Sequence, residues 1–257
     1  MKIRYGVCTG FENLGEISRA GYDYIEANLT ALEGMSQEDF SKIADLVDRS
    51  EIKAEAFNCF FPGQFSLVGP SRDLSAISYY VEKALARAAR IGGKIAVLGS
   101  GGARKIPDGF DRELAEEQFI EVLRLCGDLA KYHRIKIVIE PLNSGETNLV
   151  NTVSECLDLC RRVNHPNVAC LADFFHVIKI GESLDAIKNS GGALAHIHVA
   201  GPERHFAELS EHPELVSAWV DALKCCNYSG RVSLEGHFED FSADIKNTIV
   251  LLREKFG

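Results

Sequence analysis

The sequence predicts an α/β fold, a single (β/α)8 or TIM barrel that takes up residues 1–257 as one domain. Two observations carry this prediction. Short apolar strand patterns alternate with amphipathic helix patterns along the chain, and this alternation implies a parallel sheet with right-handed crossovers. Eight strand patterns fit into 257 residues, which is the size of a closed barrel, whereas an open doubly wound sheet usually has fewer strands.

Each repeat begins with a short strand pattern. The strands are predicted at residues 3–8, 23–28, 53–58, 94–99, 136–141, 168–173, 194–199 and 231–236. The clearest amphipathic helix pattern is at 75–93, where apolar residues recur at helical spacing and Gly92 and Gly93 end the helix. The other helices are predicted at 38–50, 113–133, 152–163, 183–190, 214–226 and 241–256. No linker or low-complexity segment interrupts them, so we expect no domain boundary.

The composition argues against several classes of partner. The formal net charge is −9, and no run of lysine or arginine concentrates positive charge, so nucleic acid is not expected as a partner. No apolar stretch approaches the roughly 18–20 residues that a membrane helix needs, and the first residues lack a secretory signal. We therefore expect a cytoplasmic protein that acts on a small molecule. Its eight cysteines form no CxxC pair and are expected to be buried, reduced thiols.

Four polar residues close the last four predicted strands: Glu140, Asp173, His198 and Glu235. Strand alternation turns all four side chains inward, at the barrel end where catalytic groups collect. Each one alone has an ordinary explanation, a helix N-cap for an acid or a hydrogen-bonded core group for a histidine. Together, three carboxylates and an imidazole would strongly shift one another's pKa values unless a cation neutralised them. Because oxygen donors dominate and no thiolate is present, the set predicts Mn²⁺, with Mg²⁺, Co²⁺ or Zn²⁺ as alternatives.

Three further polar residues stand at short offsets from these candidate ligands. Glu146 follows Glu140 by six positions, His176 follows Asp173 by three, and Arg204 follows His198 by six. All three fall on the loops that would lie above the metal, where they are candidates for binding the substrate. A metal that only stabilised a scaffold or sugar-binding barrel would not need them, so the pattern favours an enzyme.

The motifs around these residues resemble one known family. EPLNSGE at 140–146, DFFH at 173–176, HVAGPER at 198–204 and LEG at 234–236 are similar to the ketose 3-epimerase branch of the xylose-isomerase-like TIM barrels, also called sugar phosphate isomerases/epimerases. The resemblance covers roughly residues 95–240 at the level of motifs. It implies that Glu140, Asp173, His198 and Glu235 hold one metal, usually manganese, and that Glu146, His176 and Arg204 grip the oxygens of a carbohydrate substrate.

The expected reaction is epimerisation of a ketose or ketose phosphate at C3. Removal of the C3 proton leaves an enediolate, whose charge a chelated metal stabilises, with Glu140 and Glu235 as the acid and base. An aldose–ketose isomerase, or an inosose-type dehydratase or keto-sugar lyase, would use the same site and stays an alternative. A repair enzyme similar to AP endonuclease is remote, because it needs further histidines where this chain has Asn58, Cys59, Gly99 and Ser100.

Weaker signals concern the surroundings of the site. The GSGGAR segment at 99–104 forms either a flexible loop or a backbone nest that, with Arg104, binds a phosphate or a sugar hydroxyl. His196 shares a strand face with His198 and is expected to orient a metal ligand. Residues Cys8, Glu26, Asn28, Asn58 and Cys59 line the pocket or serve in ordinary packing.

An aromatic loop follows the third predicted strand. Phe60, Phe61 and Phe65 lie in it and are expected to wall the pocket or to form a subunit contact. We expect this aromatic loop to be exposed, which makes a homodimer or homotetramer plausible.

Overall fold

Eight parallel strands pair in the order of the sequence and close into one barrel, because the last strand pairs with the first. This computed structural model describes residues 3–256. The predicted (β/α)8 fold is therefore confirmed. The strands are β1 Arg4–Cys8, β2 Tyr24–Asn28, β3 Lys53–Asn58, β4 Ile95–Leu98, β5 Lys136–Ile139, β6 Val168–Asp173, β7 Leu194–Val199 and β8 Arg231–Leu234.

Twelve α-helices are found among the described residues, and each of the seven predicted helices is present. They are α1 Leu14–Ala20, α2 Leu29–Gly34, α3 Gln37–Arg49, α4 Leu74–Arg90, α5 Gly101–Arg104, α6 Arg112–His133, α7 Val153–Val163, α8 Phe174–Ile180, α9 Asp185–Lys188, α10 Ala207–Glu211, α11 Pro213–Cys225 and α12 Phe241–Phe256. The five helices that were not predicted, α1, α2, α5, α8 and α10, have four to seven residues. Two turns at most are too short for helical periodicity to stand out.

Polar residues mark the starts of the longer helices. Ser36, Asp73, Asp111 and Thr152 precede α3, α4, α6 and α7, and each side chain accepts a hydrogen bond from a backbone N–H of the first turn. Thr152 also forms a capping box with Glu155. Such caps contribute about 1 kcal/mol each, because they satisfy N–H groups that have no partner within the helix.

The strands divide the apolar side chains between two cores. Ile137 and Ile139 point outward to the helices, whereas Val138 points to the barrel axis. The inner core is small, and one aromatic ring fills much of it. A Cβ atom at Gly6 would lie 2.1 Å from the Tyr24 ring, so glycine at position 6 leaves the space that this ring occupies.

Above the inner core, toward the carboxyl ends of the strands, the barrel interior becomes polar. Glu26, Asp173, His196 and His198 are buried there, and Glu140 follows directly after β5. The alternation of the strands thus places the candidate site at the end of the barrel where catalytic groups are expected.

The aromatic loop after β3 is not an exposed patch. Phe60 and Phe61 are buried, and Phe61 and Phe65 both pack against Tyr80 of α4. The prediction that this loop exposes its rings is wrong for Phe60 and Phe61, because α4 supplies an aromatic partner that the local sequence does not reveal. The expected homodimer or homotetramer loses that support and stays a prediction.

No helix within residues 3–256 combines the length and apolar character that crossing a membrane requires.

Candidate active site

The four residues predicted to hold a metal come together at the carboxyl ends of β5 to β8. Glu140, Asp173, His198 and Glu235 each offer one ligand atom, and these atoms all lie within 4.8 Å of one another. His198 is part of β7 and Asp173 ends β6, while Glu140 and Glu235 are the first residues after β5 and β8. The side chain of Glu235 is 20% exposed and is the most accessible of the four.

The His198 ring has a different neighbour on each of its two nitrogens. Nδ1 lies 3.1 Å from Glu140 Oε1 and 3.3 Å from Glu235 Oε2. Nε2 lies 3.0 Å from Glu26 Oε1. Nδ1 is therefore the nitrogen that faces the other candidate ligands.

Asp173 caps a helix and also lies in the cluster of candidate metal ligands. Its Oδ1 accepts a hydrogen bond from the Phe175 backbone N–H at 2.7 Å and caps α8. Its Oδ2 lies 3.5 Å from Arg204 Nη2 and 3.7 Å from His176 Nε2. The helix cap and the candidate ligand are thus two oxygens of one carboxyl group.

Burial is the largest influence on the acidity of the three carboxyl groups. It raises the pKa of Asp173 to about 7, with His176 opposing the shift and Glu235 and Glu140 adding to it. Burial, followed by the charge of Glu235, also raises the pKa of Glu140. For Glu235, burial acts in the same direction, but His198 and then Arg204 outweigh it and lower the pKa. The three carboxyl groups therefore carry negative charge together most readily when positive charge lies beside them.

The cluster has the chemistry of a divalent metal site. Three carboxylates and one imidazole, with no thiolate, form a donor set dominated by oxygen, which suits Mn²⁺ or Mg²⁺ better than a structural zinc. Burial lowers the pKa of His198, but Glu26 and Glu235 more than compensate and raise it well above its ordinary value. Carboxylates that favour a proton on His198 would equally favour a cation beside it. The residues present therefore fit such an ion.

Two of the three candidate substrate ligands reach the edge of this cluster. Arg204 Nη2 lies 3.1 Å from His176 Nε2 and 3.6 Å from Glu235 Oε2, and the Arg204 guanidinium stacks 4.3 Å above the Phe175 ring. Glu146, the third candidate, is exposed and does not contact the four candidate metal ligands. Its Oε1 accepts a hydrogen bond from Asn143 Nδ2 at 2.7 Å.

Asn143 was missed by the sequence analysis although it links this group together. Its backbone N–H donates to His176 Nδ1 at 3.1 Å. A neutral His176 ring that accepts this hydrogen bond carries its proton on Nε2, so Nε2 cannot also accept from Arg204, and the two groups face each other as donors. Burial lowers the His176 pKa, which favours the neutral form. Asn143 stands inside the EPLNSGE motif, and that position was the only signal that could have drawn attention to it.

Of the two alternatives for the GSGGAR segment, the one in which Arg104 binds a phosphate or a sugar hydroxyl does not agree with the structure. Its side chain is fully buried, and Nη2 donates to the backbone oxygen of Glu140 at 2.7 Å. Further hydrogen bonds of Arg104 run to the carbonyl groups of Leu98 and Val150. Burial lowers its pKa to about 10. Arg104 holds the chain around the end of β5 instead of facing the site.

Gly99 leaves the space that the Glu140 carboxylate needs. A Cβ atom at position 99 would lie 2.3 Å from Glu140 Oε2, closer than real Cβ contacts allow. We expect Gly99→Ala to fold but to bind Mn²⁺ about 10- to 100-fold more weakly, as do variants that disturb the surroundings of a metal ligand. The measurement is a titration followed by the electron paramagnetic resonance of free Mn²⁺.

Gly102→Ala is the matched control for this experiment. Gly102 belongs to the neighbouring helix α5, and a Cβ atom there would meet nothing within 4 Å. Mn²⁺ affinity in Gly102→Ala should equal that of the unmodified protein. An unchanged affinity in Gly99→Ala would mean that the carboxylate of Glu140 does not hold the ion.

Comparison with known proteins finds similar chains that are named as an isomerase and an epimerase. A curated 2-oxo-tetronate isomerase from Pectobacterium atrosepticum is 32% identical over 54% of this chain and 53% of its own length. An L-ribulose 3-epimerase from Methylomonas sp. is 28% identical over 89% of this chain and 77% of its own length. The chain thus spans about half the length of the first relative.

Solved structures agree on the fold. A D-psicose 3-epimerase from Clostridium cellulolyticum, crystallised with D-tagatose, superimposes with a TM-score of 0.85 at 17% identity, covering 98% of this chain and 99% of that one. The family model described as "Xylose isomerase-like TIM barrel" matches residues 14–254. Because that match extends over nearly the whole chain and agrees with the closed eight-stranded barrel, the chain belongs to the xylose isomerase-like TIM barrel family.

Proposed function

We propose that this protein is a divalent-metal-dependent isomerase that epimerises a ketose at C3. The observation that carries the proposal is the meeting of Glu140, Asp173, His198 and Glu235 within 4.8 Å at the catalytic end of the barrel. The relatives named as a 2-oxo-tetronate isomerase and an L-ribulose 3-epimerase support an isomerase. The ketose 3-epimerase motifs of the sequence support the position of the reaction.

The four clustered residues would hold one divalent ion, for which we propose Mn²⁺, with Mg²⁺, Co²⁺ and Zn²⁺ as alternatives. When bound, the ion supplies electrostatic stabilisation for negative charge that develops on the ketone and neighbouring hydroxyl oxygens of the substrate. This stabilisation matters because a proton on the carbon beside a ketone is only weakly acidic.

Glu140 and Glu235 are the proposed acid and base. Inversion at C3 requires one group to remove the proton from one face of the planar enediolate and another to return a proton to the opposite face. The two carboxylates follow β5 and β8, and both approach Nδ1 of His198, at 3.1 and 3.3 Å. In the reverse reaction their roles exchange, so each must be able to gain and lose a proton.

His176 and Arg204 are the proposed donors to the substrate's oxygens. If Nε2 of the neutral His176 ring carries the proton, it and Arg204 Nη2 are two donors 3.1 Å apart, and a substrate oxygen that accepted from both would relieve their repulsion. Both groups can therefore donate to the same oxygen region, where negative charge forms during the reaction. Glu146, held by Asn143, would accept a hydrogen bond from a hydroxyl group at the outer edge.

The cavity next to the cluster favours an uncharged sugar over a sugar phosphate. A cavity of about 440 Å³ opens at the ends of β1 to β3, and its polar lining includes Cys8, Asn28, Asn58 and Cys59. Among the described residues, no lysine or arginine lines it, and its charged lining residues are Glu12 and Glu26. A phosphate would meet only negative charge there, so we propose a free ketose as substrate.

Isotope exchange tests the proposal directly. With Mn²⁺ and a panel of free ketoses and ketose phosphates in heavy water, we expect deuterium to enter C3 of a free ketose, as followed by proton NMR. Deuterium at C1 would instead indicate an aldose–ketose isomerase, and loss of water would indicate a dehydratase or lyase. Exchange confined to the ketose phosphates would contradict the proposed uncharged substrate.

A further inference from the structure

A chain of buried polar side chains runs along the barrel axis and ends at the candidate metal ligand His198. All five of its members are fully buried: Tyr24, Ser233, His196, Glu26 and His198. The Tyr24 hydroxyl lies 2.8 Å from Ser233 Oγ, which lies 3.3 Å from His196 Nε2. Glu26 then bridges the two histidines, with Oε2 at 2.7 Å from His196 Nε2 and Oε1 at 3.0 Å from His198 Nε2.

Glu26 determines which nitrogen of His198 carries a proton. An ionised carboxylate only accepts hydrogen bonds, so both imidazoles must donate their Nε2–H to it. A neutral His198 ring that donates from Nε2 has its free electron pair on Nδ1. That nitrogen lies beside Glu140 and Glu235, where the proposed ion would bind.

From this geometry we propose that Glu26 is a positioning residue of the metal centre: it fixes the ring of His198 so that Nδ1 is presented as ligand, and its negative charge strengthens that ligand. The inference rests on the proposed function, since it requires the metal. Carboxylates that accept the second N–H of a ligating histidine are known to orient the ring and raise its basicity.

Glu26 is itself held in place from the other side. His196 Nε2 donates to the second oxygen of its carboxylate at 2.7 Å. With one oxygen fixed by each histidine, the plane of the carboxylate cannot turn freely. The predicted orienting role of His196 would thus reach the metal ligand through Glu26, in addition to the edge-on contact of the two imidazole rings, whose centroids lie 5.0 Å apart.

A direct role of Glu26 as ligand to a second metal fits the contacts less well. Cys8, Glu26 and His198 also offer three ligand atoms within 4.8 Å of one another. However, the His198 nitrogen on this side already donates to Glu26.

Titration of the protein with Mn²⁺ alone tests the role of Glu26. We expect Glu26→Gln to bind Mn²⁺ about 10- to 100-fold more weakly, because the amide keeps the shape of the side chain but loses the charge and one acceptor oxygen. Binding is read from the paramagnetic resonance of free Mn²⁺, and circular dichroism checks that the metal-free variant is folded.

Glu55→Gln is the matched control. Glu55 is also a carboxylate inside the barrel wall, but it accepts hydrogen bonds from Arg4 and Arg231 at the opposite end. We expect its Mn²⁺ affinity to stay within about twofold of the unmodified protein. An equal loss of affinity in both variants would attribute the effect to general loosening of the barrel and would overturn the inference.

A spectroscopic measurement on the unmodified protein covers the case in which Glu26→Gln does not fold. In the ¹H–¹⁵N spectrum of the Zn²⁺-loaded protein, His198 should carry its proton on Nε2. A proton on Nδ1, or normal Mn²⁺ binding by folded Glu26→Gln, overturns the role of Glu26 alone. If the unmodified protein binds neither ion, the proposed function fails, and this inference fails with it.

Discussion

Replacement of Glu235 by glutamine is expected to abolish exchange of the substrate's C3 proton with solvent while a ketose and Mn²⁺ still bind. The amide oxygen can remain near the ion, but the amide can neither take up nor release a proton at catalytic pH. Positioned acid or base groups typically contribute about 10²- to 10⁴-fold to such reactions, so we expect a loss of at least that size. Deuterium incorporation at saturating Mn²⁺ measures the effect, and a calorimetric titration measures sugar binding.

Glu239→Gln provides the control for Glu235→Gln. Glu239 lies on the loop that follows β8, its side chain is 74% exposed, and it lies 3.7 Å from His205 Nδ1. Exchange should continue unchanged in this variant. Deuterium uptake by Glu235→Gln at the unmodified rate would refute the proposed acid–base role of Glu235.

Removal of divalent ions should have the second large effect, on both activity and stability. Treatment with EDTA followed by gel filtration is expected to reduce turnover to background, and added Mn²⁺ should restore it. An ion at 100 times its Kd stabilises a protein by about 2.7 kcal/mol. For a chain of this size that corresponds to a rise in Tm of about 5–10 °C. The rise is expected because the ion would neutralise the buried carboxylates of Glu140, Asp173 and Glu235.

Calorimetry of the metal-free and Mn²⁺-loaded protein measures this shift, and Ca²⁺ at the same concentration serves as control. Ca²⁺ prefers six to eight oxygen ligands and does not match a site that contains an imidazole. Full turnover after complete chelation would contradict a metal-dependent reaction.

The clustering of the four candidate ligands could be predicted from the sequence because closure of the barrel largely determines where these residues lie. Once β5 to β8 are recognised as consecutive parallel strands, the residues at their carboxyl ends must converge, and strand alternation decides which side chains face inward. Glu140 and Glu235 illustrate this, since both follow strands whose outward positions are apolar. The roles of these residues in catalysis stay predictions until the variants are made.

Contacts between distant parts of the chain could not be predicted in this way. Glu26 meets His196 and His198 across separations of 170 and 172 residues, and in the sequence it appears only as one acid within an apolar strand. The burial of Arg104 could not be predicted either. A charged residue in a glycine-rich segment suggests a solvated loop, but here the guanidinium is buried on backbone carbonyl groups that only the folded chain supplies.

The two carboxyl oxygens of Asp173 have different contacts, and this has an implication for how the protein can change over evolution. One oxygen anchors the first turn of α8, which carries His176, and the other belongs to the proposed metal centre. A mutation at this position would alter ion binding and shift the substrate-facing imidazole at the same time. If the proposed function holds, metal preference and sugar selectivity would both depend on this one residue, and we expect new specificities to arise more readily through the loops after β1 to β3 than through this part of the barrel.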